Sequence, residues 1–559
     1  MEGSTMRGVR VACAWCGGAG GRRARVLGAL LAWGALLALG MPRLAPAPAP
    51  APAARALLHA ATPPATPPPS SPAPPPPAPD ALSDAELRAD AARRLPSLPL
   101  DYLQRAAGLK NKFYKTRNCA PLPSLYDLQF HDTYWQTMRA DNDTAFHLFG
   151  AYLDDRNTSR IGPAVRLLAV HDRLRPALKT HCQIWFEEQA APVIVRVLEY
   201  KYIWNSKWGN YRDGLWQPYL LACVLPAGVR HLRPAAVSLV REACDAASNL
   251  LRVQGGAAPG PPEDLAVCVK GLDFLHEDLS LRLVEWLELV LLLGARAVHM
   301  YQLQAHANVQ RVLAHYQARG LLTLTPLTLP GGMPNLPALQ HIYLKKKTNN
   351  KRQMELIPYN DCLYRHQGRY RWLALLDVDE VIVPAEDADW PALLRRALPL
   401  AAPAPGKPPR SAYYASNLYY LDSLQQEQGG GPEPGVPAHL HMLSHVWRTR
   451  NFTRPGQYVK AFHDTQRVLT LHNHFPLACL GGACSNYPLP TALARLQHYR
   501  ADCVRSLSAS CAALRDQPVR DTTLWRWRDA LAGRVDAALR ALRLGPHAPP
   551  PAPAADPLR

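Results

Sequence analysis

The sequence RYRWLALLDVDEVIVP (Arg369–Pro384) changes from apolar to acidic in its middle. The run Trp372–Leu376 predicts a short strand that is buried on both faces of a parallel sheet. Three acids follow within four residues: Asp377, Asp379 and Glu380. Carboxylates at the end of a buried strand cost free energy unless water or a cation compensates their charge. The pair therefore predicts either a site for Mg²⁺ or Mn²⁺, which prefer oxygen ligands, or a solvated turn that caps the strand.

The preceding residues alternate between strand and helix patterns. Downstream of Asp264 the order is strand, helix, strand, helix, strand, in the segments LAVCVKGL, DLSLRLVEWLELVLLLG, ARAVHMYQLQ, NVQRVLAHYQARG and LLTLTPL. This order predicts an α/β fold with a mixed, mostly parallel sheet and flanking helices. In such sheets ligands lie at the carboxyl ends of strands, where Asp377 and Asp379 are placed. Two further pairs, Asp141–Asp143 and Asp387–Asp389, do not end a buried strand.

The composition bounds the class of protein. The chain has 559 residues and a net charge of +19, from 63 Lys and Arg against 44 Asp and Glu. This length predicts more than one domain. A basic chain can bind nucleic acid, but no nucleic-acid-binding motif is present in this sequence, so we expect no nucleic-acid partner. The charge also suits an acidic substrate such as a nucleotide diphosphate.

The amino-terminal residues predict how the protein is placed in a membrane. Residues 1–25 are rich in Arg and predict a cytoplasmic tail, and the uncharged segment 26–42 predicts a transmembrane signal anchor. Residues 43–80 are mostly Ala and Pro and predict a disordered stem. This arrangement gives a single-pass type II membrane protein with one N-terminal helix in the membrane and a luminal carboxyl end. The alternative is a cleaved signal peptide.

Two features of the sequence agree with a luminal location for the chain beyond the anchor. Asn142, Asn157 and Asn451 are N-x-S/T acceptors for glycosylation. Ten cysteines lie beyond the anchor, and an even count in an oxidising compartment predicts disulfide bonds.

The remaining chain divides by pattern. Residues 81–118 predict a linker with a short helix near 80–94, and residues 119–254 predict a smaller β-rich accessory domain that a helix closes at 238–251. Residues 264–515 predict the α/β domain, and residues 516–559 a C-terminal helix and Pro-rich tail. The accessory domain holds tryptophans that either stack on sugar rings or pack in its core: Trp185, Trp204, Trp208 and Trp216.

The span from about 265 to 511 resembles glycosyltransferase family 92. The similarity rests on segments in order: VCVKGL, NVQRVLAHYQARG, YNDCLYRHQGRYRWLALLDVDEVIVP, GQYVKAFHDTQRVLTLHNHFP and LQHYRADC. The resemblance implies a GT-A fold over 264–515, a nucleotide-sugar donor such as UDP-galactose, a divalent metal, and inversion at the anomeric carbon.

The resemblance also implies roles for individual residues. Asp377 and Asp379 match the family's DxD pair, as metal ligands, and Asp377 also as a donor contact. A histidine often completes such a site, and His472 is preferred here over His474 and His498. Asp361 and Lys270 are further donor contacts, with a helix cap and a solvated lysine as the alternatives. Lys460 and Arg500 are other candidates for contact with acidic groups. Candidates for the catalytic base are Asp422, Asp464 and Glu380, among which the sequence does not choose.

The function expected is that of a Golgi enzyme that uses Mn²⁺ (or Mg²⁺) to transfer galactose from a UDP-sugar donor to a glycan acceptor. The alternative is a non-catalytic luminal carbohydrate-binding protein, a pseudoenzyme. A glycoside hydrolase is disfavoured, because Asp377 and Asp379 lie too close on one turn to flank a glycosidic bond.

Overall fold

The structure is a computed structural model that describes residues 83–113, 119–176, 178–187, 189, 191–256, 260–430, 433–503 and 508–548. The predicted tail at 1–25, anchor at 26–42 and stem at 43–80 lie outside the described residues, as does the end of the chain beyond residue 548. Among the described helices, none combines the length and apolar character that a membrane crossing needs.

Two helices precede the first sheet: α1 (Asp84–Arg94) and α2 (Leu100–Phe113). The start of α1 is fixed by a capping box. The Ser83 side chain accepts the backbone N–H of Glu86, and the Glu86 carboxylate accepts the backbone N–H of Ser83.

The first sheet has ten strands. They are β1 (Phe130–Asp132), β2 (Trp135–Arg139), β3 (Ala145–Asp154), β4 (Ala164–His171), β5 (His181–Phe186), β6 (Val193–Arg196), β7 (Glu199–Tyr202), β8 (Gln217–Val224), β9 (Pro234–Val240) and β10 (Leu251–Gly255). The order is β6-β5-β9-β10-β3-β4-β8-β7, and β2 joins β3 and β1. Neighbouring strands are antiparallel except β10 and β3, which are parallel.

The predicted helix at 238–251 is wrong. These residues form the end of β9, a turn and the start of β10. The Asn249 side chain accepts the N–H of Leu239 and donates to the Leu239 carbonyl. Both backbone groups of Leu239 are therefore bonded to a side chain instead of to the backbone of a helix. Cys244, in the same turn, is bonded to Cys119.

The second part of the chain contains fourteen strands and ten helices among the described residues. The strands are β11 (Glu263–Phe274), β12 (Val298–Ala305), β13 (Leu322–Pro326), β14 (Tyr370–Leu375), β15 (Glu380–Pro384), β16 (Ala412–Ala415), β17 (Asn417–Leu421), β18 (Trp447–Arg448), β19 (Lys460–Asp464), β20 (Val468–Leu471), β21 (Pro476–Cys479), β22 (Asn486–Pro488), β23 (Ala494–Arg500) and β24 (Val519–Arg520). The helices are α3 (Ser280–Leu292), α4 (Ala307–Ala318), α5 (Pro337–Lys346), α6 (Thr348–Met354), α7 (Leu356–His366), α8 (Trp390–Leu400), α9 (Asp422–Glu427), α10 (His441–Ser444), α11 (Ser508–Arg515) and α12 (Arg528–Leu542).

A seven-stranded sheet organises this part, in the order β13-β12-β11-β14-β19-β16-β22. Strands β13, β12, β11 and β14 are parallel, and β19 is antiparallel to β14. The mixed α/β class predicted from the sequence is confirmed, and so is the strand–helix–strand–helix–strand order from β11 to β13. Both crossover helices end before a glycine with positive φ, Gly294 after α3 and Gly320 after α4.

A three-stranded sheet, β15-β23-β17, lies beside the end of β14. Helix α3 holds β15 in place, because the Trp286 indole on α3 donates a hydrogen bond to the Glu380 carbonyl at 2.9 Å. Trp286 is fully buried among the apolar residues of α3, β11 and β14.

Helix α7 joins the two large sheets. The Cys268–Cys362 disulfide bonds it to β11, and Tyr359 and Tyr364 pack in one apolar cluster with Tyr152 and Leu168 of the first sheet. All ten cysteines beyond the predicted anchor are paired, so the predicted disulfides are confirmed; the other four pairs are Cys119–Cys244, Cys182–Cys223, Cys479–Cys484 and Cys503–Cys511.

Candidate active site

The acidic turn follows β14 directly. The Leu376 N–H donates to the Cys268 carbonyl of β11, so the turn begins beside the carboxyl end of the neighbouring parallel strand. The Glu380 N–H donates to the Asp377 carbonyl, and one Glu380 carboxylate oxygen accepts the Asp377 N–H at 2.9 Å. The Glu380 side chain therefore closes the turn that presents Asp377 and Asp379.

Two lysines hold Asp377. Lys270 Nζ lies 3.1 Å and Lys460 Nζ lies 3.3 Å from Asp377 Oδ2. Burial raises the pKa of Asp377, but the two ammonium groups outweigh burial and hold the pKa of that carboxyl well below its usual range. Lys460 is almost fully buried and also lies 2.7 Å from Glu380 Oε1. Asp377 is consequently ionised at neutral pH.

Asp379 has a different partner. Its Oδ2 lies 3.3 Å from His498 Nε2, while His498 Nδ1 lies 3.6 Å from Glu380 Oε2. Glu380 and His498 face each other in the antiparallel β15–β23 pair, which fixes the histidine beside the turn. Burial lowers the pKa of His498, but the Asp379 and Glu380 carboxylates together outweigh burial and raise the pKa.

A cavity of about 510 Å³ opens at this turn, and we call it the cleft. Its wall comes from Lys270 and the end of β11, from Asp377 and Asp379, and from Arg500 at the end of β23. It lies where parallel strands of this sheet end, as expected for a ligand site in an α/β fold.

The residues of the turn fit a divalent cation. Asp377 Oδ1 is buried and has no hydrogen-bond partner among the described residues, although a carboxylate oxygen in such a position requires one. The Asp379 side chain is 44 % exposed toward solvent. The carboxylates of Asp377 and Asp379 and the imidazole of His498 are ligand types that Mn²⁺ accepts. Asp377, Asp379 and His498 are therefore the residues that would hold the ion.

His472, the histidine preferred from the sequence, is not among the residues that line the cleft. Its ring packs on Trp208, with centroids 4.2 Å apart, and burial lowers its pKa to about 3. The turn after β20 contacts the site through Asn473 instead. The Asn473 side chain accepts a hydrogen bond from Lys460 Nζ at 2.6 Å. His474 Nδ1 contacts the Val459 carbonyl at 2.8 Å.

Asp361, predicted as a donor contact or a helix cap, lies neither in the cleft wall nor at the start of a helix. It lies in the middle of α7 and is fully buried. Its carboxylate accepts from the Tyr152 and Tyr301 hydroxyls and from Arg365. Because protein groups already occupy both oxygens, Asp361 ties α7 to the first sheet and to β12.

Lys270 and Arg500 lie in the cleft wall, as the sequence suggested for contacts with acidic groups. Lys270 is part-buried between Asp377 and Glu355, whose Oε1 lies 3.5 Å from its Nζ. Lys460 lies behind the turn.

The three carboxylates considered as the base are all engaged. Glu380 binds Lys460, Asp464 is buried and binds Arg371, and Asp422 contacts two histidines. The cleft wall contains three other carboxylates that the sequence interpretation missed: Asp273, Glu277 and Asp502. Asp273 was detectable, because it lies at the carboxyl end of β11, a parallel strand of the sheet.

Other predicted residues fall on the surface or in the core. Asn142, Asn157 and Asn451 are exposed, so the structure leaves all three glycosylation acceptors accessible. Trp185 and Trp204 are buried, Trp216 donates to the Gly331 carbonyl, and Trp208 is partly exposed beside His472.

Comparison with known proteins agrees with this geometry. The model of glycosyltransferase family 92 matches residues 263–534. A curated relative, the Caenorhabditis elegans protein "Beta-1,4-galactosyltransferase galt-1", is 25% identical over 244 residues, which are 42% of this chain and 51% of the relative. The chain thus spans about half the length of that relative. The part of this chain that matches the family model, residues 263–534, contains Asp377, Asp379 and His498.

Proposed function

We propose that this chain transfers galactose from UDP-galactose to a glycan acceptor, with Mn²⁺ (or Mg²⁺) and with inversion at the anomeric carbon, on a GT-A fold. The observation that carries the proposal is the pair Asp377 and Asp379 at the end of a parallel strand, in the wall of a cleft that also contains Lys270. The name of the relative supports galactose as the sugar.

We assign the residues in and behind the cleft wall three roles in binding the donor: they hold the cation, attract the diphosphate and support the turn. Asp377, Asp379 and His498 would hold the cation, which when bound neutralises the diphosphate leaving group. Lys270 and Arg500 add positive charge to the same wall and attract the diphosphate oxygens. Lys460 keeps Asp377 ionised and fixes Glu380, so that the turn keeps its shape.

Inversion requires a base on the face of the sugar opposite the leaving group, where the acceptor hydroxyl attacks and loses its proton. The proposal places this base among Asp273, Glu277 and Asp502, because these carboxylates line the cleft outside the Asp377–Asp379 cluster. Glu380 is no longer a candidate, because Lys460 and the Asp377 N–H occupy one of its oxygens and His498 approaches the other.

The location in the Golgi lumen, behind an anchor at 26–42, is part of the proposal. Five disulfides among the described residues support an oxidising compartment, since cytosolic proteins rarely keep such bonds. The three exposed N-x-S/T acceptors support the same compartment.

The test uses residues 81–559, which form a compact unit separate from residues 1–80, secreted and purified. A panel of UDP-sugars is incubated with the protein, Mn²⁺ and a mixed glycan acceptor pool, and UDP release is measured. We expect release from UDP-galactose, lost with EDTA and in Asp379→Asn. The matched control is Asp143→Asn. It changes an exposed Asp-x-Asp pair that lies between β2 and β3, far from Asp379 in the sequence.

A folded protein that neither releases UDP nor binds UDP-galactose in a Mn²⁺-dependent way contradicts the proposal. That result supports the non-catalytic luminal carbohydrate-binding protein instead.

A further inference from the structure

A second cluster of metal-ligating side chains lies beside the cleft. Asp422 is the first residue of α9, His441 is the first residue of α10, and His445 follows α10. His441 Nε2 lies 3.2 Å and His445 Nε2 lies 2.8 Å from the same oxygen, Asp422 Oδ1. The three side chains are mostly buried, and their ligand atoms lie within 4.8 Å of one another.

The backbone around the cluster is held in place. The Glu285 carboxylate on α3 accepts the N–H groups of Met442 and Leu443 at 2.9 and 3.1 Å. Asp422 is oriented from its other oxygen, since Arg282 lies 3.7 Å from Oδ2. Oδ1 is therefore the oxygen left for the two imidazoles.

The proton on His445 can be assigned from its neighbours. His445 Nδ1 lies 2.6 Å from the His441 carbonyl, which can only accept a hydrogen bond, so Nδ1 carries the proton. In a neutral ring Nε2 then has a lone pair, which faces the carboxylate oxygen of Asp422. Two lone pairs in this position repel each other unless the ring takes up a second proton or both atoms bind the same cation.

We propose that Asp422, His441 and His445 form a Zn²⁺ site, separate from the Asp377–Asp379 site. Zn²⁺ takes imidazole nitrogen and carboxylate oxygen at about 2.0–2.2 Å, and sites with three protein ligands keep a fourth position open. The Nδ1 contact of His445 with a backbone carbonyl is the usual outer contact of a zinc-bound histidine. Because His441 also lines the cleft, the ion lies at the cleft edge, where its open position takes water or a ligand oxygen.

The site does not depend on the proposed transfer reaction. Zn²⁺ links the start of α9 to α10, two segments that are nineteen residues apart and that both border the cleft. Its loading is therefore measured directly as bound metal.

The experiment uses the full chain in mild detergent, stripped of metal with a chelator and dialysed. Zn²⁺ binding is measured by elemental analysis after gel filtration, and Co²⁺ is added as a spectroscopic probe. We expect Asp379→Asn to hold one equivalent of Zn²⁺, with the visible absorption of four-coordinate Co²⁺, and the unaltered chain to hold this equivalent in addition to any Zn²⁺ bound at Asp377 and Asp379. We expect loss of that equivalent in His441→Ala and in His445→Ala.

The matched control is His439→Ala, two residues before the cluster, which keeps the equivalent. The Co²⁺ spectrum of the unaltered chain tests the proposal even when a variant fails to fold. The proposal is overturned when the unaltered chain keeps no Zn²⁺, when Asp379→Asn removes all of it, or when the folded His441 and His445 variants keep it. In those cases the cluster is an imidazolium–carboxylate pair.

Discussion

The His498 imidazole lies against the Asp379 carboxylate, with Nε2 3.3 Å from Oδ2, because Glu380 and His498 are opposite residues of the β15–β23 pair. The same strand pair brings Arg500 to the cleft. Strand register thus determines which histidine lies beside the acidic turn.

The first prediction concerns this histidine. His498→Ala removes a nitrogen from the proposed cation site, so we expect the affinity for Mn²⁺ to fall by at least about 10–100-fold. His472→Ala is the matched control, because His472 packs on Trp208 instead. Mn²⁺ titration of both variants provides the measurement. A loss in His472→Ala alone would reverse the assignment.

The sequence located the turn but not its partners. Asp377 and Asp379 could be found because an apolar run and a sharp change to acids are local signals. The position of His498 beside the turn could not be predicted, because it depends on which distant strand pairs with β15. The contact of Asp361 with Tyr152 could not be predicted for the same reason, since Tyr152 lies 209 residues away.

Lys270 could be placed correctly by topology alone. It follows Cys268, which pairs with Leu375 in the parallel β11–β14 ladder, so both strand ends reach the same edge of the sheet. Lys460 was a weaker candidate, because its position needs β19, an antiparallel strand that no local pattern assigns to this sheet.

The second prediction concerns Lys460. Lys460→Met leaves the Asp377 and Glu380 carboxylates without their buried cation, and we expect the free energy of unfolding to fall by about 3–5 kcal/mol. Lys270→Met is the comparison, because Lys270 is part-exposed and its carboxylates can be solvated. We expect a smaller loss of stability there and a higher KM for the donor. Urea unfolding and donor titration distinguish the two variants. Equal losses of stability would contradict the inference that Lys460 is the buried partner of both carboxylates.

The third prediction concerns the Cys268–Cys362 disulfide. It closes a loop of 94 residues between β11 and α7, and the loop-entropy relation gives about 4.7 kcal/mol of stabilisation. The Cys479–Cys484 bond, with a separation of 5 residues, gives about 2 kcal/mol by the same relation. Replacement of each pair by serine, followed by urea unfolding, should preserve this order. The reverse order would show that the Cys268–Cys362 link does not constrain the unfolded chain as inferred.

The fourth prediction concerns Glu285, which holds the N–H groups of Met442 and Leu443 beside the cleft. Burial raises the pKa of Glu285 from 4.5 to about 7. Between these two pH values the folded chain keeps the proton that the unfolded chain has lost. Stability from this group is therefore complete below pH 4.5 and is lost as the pH rises through 7.

The slope is about 1.4 kcal/mol per pH unit, and the total is about 3 kcal/mol. Glu285→Gln keeps an oxygen acceptor for one of the two N–H groups and does not titrate, so we expect its free energy of unfolding to vary less between pH 4.5 and 7. Urea unfolding at several pH values measures the difference, with exposed Glu242→Gln as the control. Parallel pH profiles for Glu285→Gln and the unaltered chain would show that Glu285 is already ionised in the folded protein. In that case the α10 segment is held by a charged carboxylate rather than by a neutral one.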